Sequence, residues 1–128
     1  MNTKKVDQLI NITDKYICVS SNKMLNEKGY IPDSMASAIS SFGAAVAMGS
    51  LLSAVARFIS KSDETRKIMD CMNRVLAEYH GEEQIPETLF KRVQLASDKR
   101  SVREEILDCA VAASLSLRCL RSRKKKRR

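Results

Sequence analysis

SSFGAAVAMGSLLSAVARF, residues 40–58, decides the fold of this chain. It lies within a run of 23 residues without a charge, Ser34 to Ala56. Of these, 7 are Ala, 6 are Ser and 2 are Gly, which leaves 8 large apolar side chains. Such a segment is either a membrane span or the packed centre of a helical domain. Segments that enter hydrocarbon are much richer in Leu, Ile, Val and Phe, because Ser and Gly add little transfer free energy. The composition therefore selects the helical domain. Short hydroxyls and missing side chains are expected to let neighbouring helices approach closely in its core.

Outward from this segment, nearly every stretch has helical periodicity. Residues 3–20 place Val6, Leu9, Ile10, Tyr16 and Ile17 at three- and four-residue spacings. Gly29, Pro32 and Asp33 mark a loop, with Asp33 as N-cap of a helix from about Ser34 to Met48. Gly49 and Ser50 break it before a shorter helix through Leu51, Leu52, Val55 and Phe58. Asp63 and Glu64 open the next, whose apolar face is Ile68, Met69, Met72, Val75, Leu76 and Tyr79. The loop 80–84 ends it. Pro86 is then expected at the first position of a short helix carrying Leu89, Phe90, Val93 and Leu95. Ser101 and Glu104 form a capping-box pattern before the last helix, which contains Ile106, Leu107, Ala110, Val111, Ala113, Leu117 and Leu120. No stretch alternates as a half-buried strand does. The expected fold is all-α: a single compact bundle of five to six helices over 1–117, with a disordered basic tail at 118–128.

The net charge of +8 belongs to that tail. Residues 118–128, RCLRSRKKKRR, hold eight Lys or Arg and no acid, so the body balances 15 basic against 15 acidic residues. A cationic run of this kind repels itself and attaches to polyanions by counterion release, without reading sequence. At 128 residues one domain buries enough surface to fold without disulfides or metal. Cys18, Cys71, Cys109 and Cys119 form no Cys-x-x-Cys pair and lie apart from the lone His80, so reduced, mostly buried thiols in a cytoplasmic protein are expected, with no cofactor and no metal site. The first residues carry charge throughout and lack the apolar region of a signal peptide.

Catalytic patterns are missing from the sequence. There is no nucleophile elbow, no phosphate-binding loop and no dinucleotide fingerprint. His80 beside Glu82 and Glu83 reads as a solvated loop residue, and no catalytic residue is assigned. What remains is binding. The candidate nucleic-acid backbone contacts, RNA-backbone contacts if the resemblance given below holds, are Arg57, Lys61, Arg66, Lys67, Lys91, Arg92, Lys99, Arg100, Arg103, Arg118 and Arg121. Arg57 and Lys61 share one helix face if that helix continues through Ser60, and Lys91 and Arg92 are expected to point away from Leu89 and Val93. With three Tyr, three Phe and no Trp, all at core spacings, there is no stacking platform for bases. Contacts are therefore expected to be to phosphates.

Residues 40–58 also carry a family resemblance. Ser41 to Ala44, then Ser50-Leu51-Leu52-Ser53 onward to Phe58, resemble the signature of the small helical fifth subunit of Cmr-type, type III-B CRISPR–Cas effector complexes. Glu105-Ile106-Leu107-Asp108 and the Ala-rich run to Leu117-Arg118 are similar to that family's last helix. Gly29-Tyr30-Ile31-Pro32 and Arg66-Lys67 agree with it too. The chain departs at Ser50, where the family often has Gly, at Ser53, often Pro, and at Arg57, usually apolar or aromatic. The resemblance implies a non-enzymatic subunit in antiviral defence. Copies would stack head to tail into a minor filament along the guide RNA–target RNA duplex, touching other subunits of the complex and no membrane. The bottom-up reading leaves two other classes open. One is a helical DNA-binding regulator, although the helix after Gly49 lacks base-reading side chains. The other is a peripheral membrane protein held by the polybasic tail.

Overall fold

The computed structural model describes residues 3–26 and 29–126; the side chains of Ser20 and of 120–126 lie outside that description. Among the described residues six helices follow one another: α1 (Thr3–Cys18), α2 (Asp33–Met48), α3 (Leu51–Lys61), α4 (Asp63–His80), α5 (Leu89–Leu95) and α6 (Lys99–Lys126). A 3₁₀ turn, Ser20–Asn22, follows α1, and there is no strand among the described residues. The fold is all-α, as its periodicity requires. α6 packs along α1 and α2, α4 packs against α1 and α3, and α5 closes over α3 and α4. α6 carries the backbone of the basic tail as far as Lys126, and the side chain of Arg121 falls outside the described residues.

One apolar cluster holds the bundle, drawing Leu9 and Ile17 from α1, Phe42 from α2, Met69, Met72 and Leu76 from α4, and Ile106 and Leu117 from α6. The deciding segment contributes through its large residues. Met35, Ile39, Phe42 and Val46 recur every three or four positions and are all buried. Phe42 meets Phe58 of α3 edge-to-face, ring centres 5.3 Å apart. That contact is worth about 1 kcal/mol beyond burial alone.

The small residues divide. Ala38 and Ala45 of α2 pack against the core and Ala54 of α3 is buried, as expected. Ser40, Ser41, Ala44 and Ala47 are exposed instead and form the outer face of α2, and a Cβ added at Gly43 would meet nothing within 4 Å.

Helix starts also differ from expectation. Pro32 is the N-cap of α2, with no side-chain cap bond, and Asp33 stands in the first turn. Pro86 precedes α5 by three residues, and Thr88 caps that helix by accepting from the Lys91 backbone N–H. α6 begins before Ser101: the Asp98 carboxylate accepts from the Arg100 and Ser101 N–H groups at 3.1 and 3.2 Å, and the Ser101 hydroxyl donates to it. A carboxylate satisfies two orphan donors at once and suits the positive helix end better than a hydroxyl does. The full capping box lies instead at α4, between Ser62 and Thr65. Leu95, expected on the apolar face of α5, is 71% exposed. Of the thiols, Cys71 and Cys109 are buried while Cys18 and Cys119 are exposed.

Candidate nucleic-acid interface

The cations expected to touch RNA divide into two groups, those spent inside the molecule and those left facing solvent. Arg92 belongs to the first. It is only 8% exposed, so it turns inward beside Leu89 and Val93 rather than away from them. Its guanidinium donates to both Glu82 carboxylate oxygens, at 2.7 and 2.8 Å. It also donates to the Asn73 side-chain and backbone oxygens, at 2.8 and 3.1 Å. Asn73 in turn donates to the Pro86 carbonyl at 2.8 Å, so one network ties α4, the loop before α5 and α5 together. A fork of fixed donors matching a carboxylate suits this site, and lysine would not supply it. The sequence contained the signal: Arg92 follows Leu89 by three and precedes Val93 by one, which puts it on the buried stripe.

Two more cations cap helix ends. The Lys99 ammonium donates to the carbonyls of Val93, Gln94 and Ala96 at 2.7–3.2 Å, closing the C-terminus of α5. Arg103 donates to the Val46 and Ala47 carbonyls at 2.7 and 3.2 Å, closing that of α2. The last carbonyls of a helix lack partners and carry the negative end of its dipole, so a cation there satisfies both. Arg66 pairs with Asp63 one turn earlier, and Lys67 donates to the Lys23 carbonyl at 3.3 Å.

Arg57, Lys61, Lys91, Arg100 and Arg118 face solvent. α3 does continue through Ser60, so Arg57 and Lys61 share its outer face, with the Lys61 ammonium 5.5 Å from the Phe58 ring centre. α3 packs against α5, which carries Lys91, and Lys99 ties α5 to the start of α6, where Arg100 stands. Arg57, Lys61, Lys91 and Arg100 thus lie on three adjoining elements. Arg118 stands nineteen positions after Lys99 along α6, close to 30 Å away, and does not join them.

A second, partly exposed network escaped the sequence reading. Glu105 on α6 accepts from Lys5 of α1 at 2.8 Å and lies 2.8 Å from the His80 ring Nε2 at the end of α4. Burial alone would raise the Glu105 carboxyl, but the hydrogen bonds from Lys5 and His80 outweigh it and hold the group below its ordinary value. Burial likewise opposes the charge on Lys5, and Glu105 overrides this, leaving the ammonium raised. His80 is exposed, as expected, but it is the last residue of α4 rather than a loop residue, and its ring meets Glu105. Nothing in the local spacing links positions 5, 80 and 105; only the packing of α1, α4 and α6 does.

The nucleophile inventory is weak. Burial pushes the Cys71 thiol up to about 12 and the Cys109 thiol well above its usual range, which leaves both protonated and unreactive. Among the described residues no group of three or more His, Cys, Asp or Glu is placed to hold a metal ion. No described helix is long and apolar enough to cross a membrane. No protein-family model matches the chain, and neither a curated protein nor a solved structure is similar to it.

Proposed function

We propose that this chain is a non-catalytic structural subunit of a type III-B CRISPR ribonucleoprotein, lying along the guide RNA–target RNA duplex and holding RNA through its phosphates. The observation that carries this reading is the placement of Arg57, Lys61, Lys91 and Arg100 on three adjoining helices, solvent-facing, beside other candidate cations that are held by the fold itself: Arg92 by Glu82 and Asn73, Lys99 and Arg103 by helix-end carbonyls. Solvated, unpaired cations release counterions when they meet phosphate; cations already satisfied internally do not. The resemblance at residues 40–58 and in the last helix supplies the kind of assembly. Other subunits of that complex, further copies of this chain, and guide and target RNA are the partners.

Two measurements test it. The tagged protein, recovered from its native cell at moderate salt, is expected to bring larger subunits and short RNAs sharing a common 5′ repeat tag. Recovery alone, or with mixed nucleic acid released by modest salt, would remove the CRISPR assignment. Simultaneous charge reversal at Arg57, Lys61, Lys91 and Arg100 is expected to weaken RNA binding on the order of tenfold or more and to flatten its salt dependence. Unchanged affinity would show that RNA follows another face.

A further inference from the structure

The outward strip of α6 has a symmetry that the RNA reading does not use. Val111 and Leu115 are 38% and 39% exposed, and with half-buried Leu107 they form a ridge at four-residue spacing. Grooves flank the ridge on both sides. One, about 420 Å³, is floored by the small residues Ser40, Gly43 and Ala44 of α2; the other, about 740 Å³, lies toward Lys5 of α1. Exposed Glu104 stands at the N-terminal end of this strip and exposed Arg118 at its C-terminal end.

We propose that this strip is a homodimer interface, in which two α6 helices pack antiparallel across a two-fold axis at Val111. An isologous contact brings each residue against the position equally far from the axis in the other direction. Glu104 and Arg118 are each seven residues from Val111, so the carboxylate of one copy meets the guanidinium of the other, twice per dimer. Leu107 and Leu115 are each four residues away and face one another, while Val111 meets Val111. Seven residues span about 10 Å of helix axis, which places the two charge pairs at the rim of an apolar centre. A parallel pair would set Glu104 against Glu104 and Arg118 against Arg118, so the charges themselves choose the antiparallel second copy. The bare outer face of α2 gives the partner's ridge a groove without bulky side chains to displace. The inference is independent of the proposed RNA function: a two-fold pair closes on itself, whereas a head-to-tail stack does not.

Sedimentation equilibrium of the full chain, nuclease-treated and at moderate salt, is expected to give twice the chain mass of 14.4 kDa. Val111→Glu sets two carboxylates together on the axis and is expected to return the mass to that of the monomer. Glu104→Arg and Arg118→Glu are each expected to weaken dimerisation at least tenfold, and their combination to restore it. Because these side chains are exposed or at the rim, far-ultraviolet circular dichroism should show every variant as helical as the parent. A wild-type monomer, an open series of higher masses, association that nuclease abolishes, indifference to Val111→Glu, or a double reversal no tighter than the singles would each overturn the proposal.

Discussion

Arg92 and Glu105 show how much the surroundings of a charge decide its role. Replacing Arg92 with Met strands the Asn73 oxygens in the interior and leaves Glu82 without its partner. The expected loss is about 3 kcal/mol of stability by chemical denaturation, far beyond what a surface cation would cost. A loss under about 0.5 kcal/mol, the size of a solvated pair, would contradict the buried network. Glu105 acts through pH. A carboxylate held below its ordinary value adds stability above the unfolded pKa and loses it as pH falls through the folded one. The melting temperatures of wild type and Glu105→Gln should therefore differ at neutral pH and converge as pH drops below the ordinary carboxyl value of 4.5. A gap that persists unchanged at pH 3 would mean that the Lys5 and His80 contacts do not act on the charged form.

At the scale of the element, two glycines make opposite predictions. Gly43 lies inside α2 with open space where a Cβ would stand, so Gly43→Ala should stabilise the fold by about 0.5–1 kcal/mol, through the lower entropy of the unfolded chain. Gly81 ends α4 in the left-handed region, φ 64°, where its N–H closes on the Ala77 and Glu78 carbonyls. Gly81→Ala should destabilise by about 1 kcal/mol, since a Cβ strains that conformation. Ser62→Ala should cost α4 a similar amount, because the Ser62 hydroxyl accepts from the Thr65 N–H. Thermal unfolding of the three variants checks all of these signs. The helices themselves were legible from periodicity, and so was the start of α4 at Asp63, but the caps of α2, α5 and α6 and the capping box of α4 were not. At α4 the box residue is Thr65 rather than Glu or Gln, and at α6 a nearby Asp98 outcompetes the Ser101 pattern.

For the whole molecule, burial and charge separate into different surfaces. Arg57, Lys61, Lys91 and Arg100 face solvent on α3, α5 and the start of α6, whereas the strip centred on Val111 is an apolar ridge with an acid at one end and a base at the other. Loading the first surface and pairing the second are therefore separable. Charge reversal on Arg57, Lys61, Lys91 and Arg100 is expected to leave the mass in solution unchanged, and Val111→Glu to leave the salt dependence per chain unchanged. Sedimentation and RNA titration on both variants test this. Coupled losses would mean one surface serves both roles.

The sequence by itself determined the all-α class, the order of the helices and the apolar face of α4, because helical periodicity and the placement of Gly and Pro are local properties of the chain. It also located the excess charge in the last eleven residues. Only the tertiary structure decided which cations remain available. Lys99 and Arg103 look like Lys91 and Arg100 in sequence, yet they meet the open carbonyl ends of α5 and α2, and Arg92, whose place on the buried stripe was legible, finds Glu82 and Asn73 across two elements only in the fold. The same packing turned Ser40, Ser41, Ala44 and Ala47 of α2 outward and Ala38 and Ala45 toward the core. A side chain's partners depend on which helices come together in space, and for positions such as 46 and 103 no local spacing records that meeting.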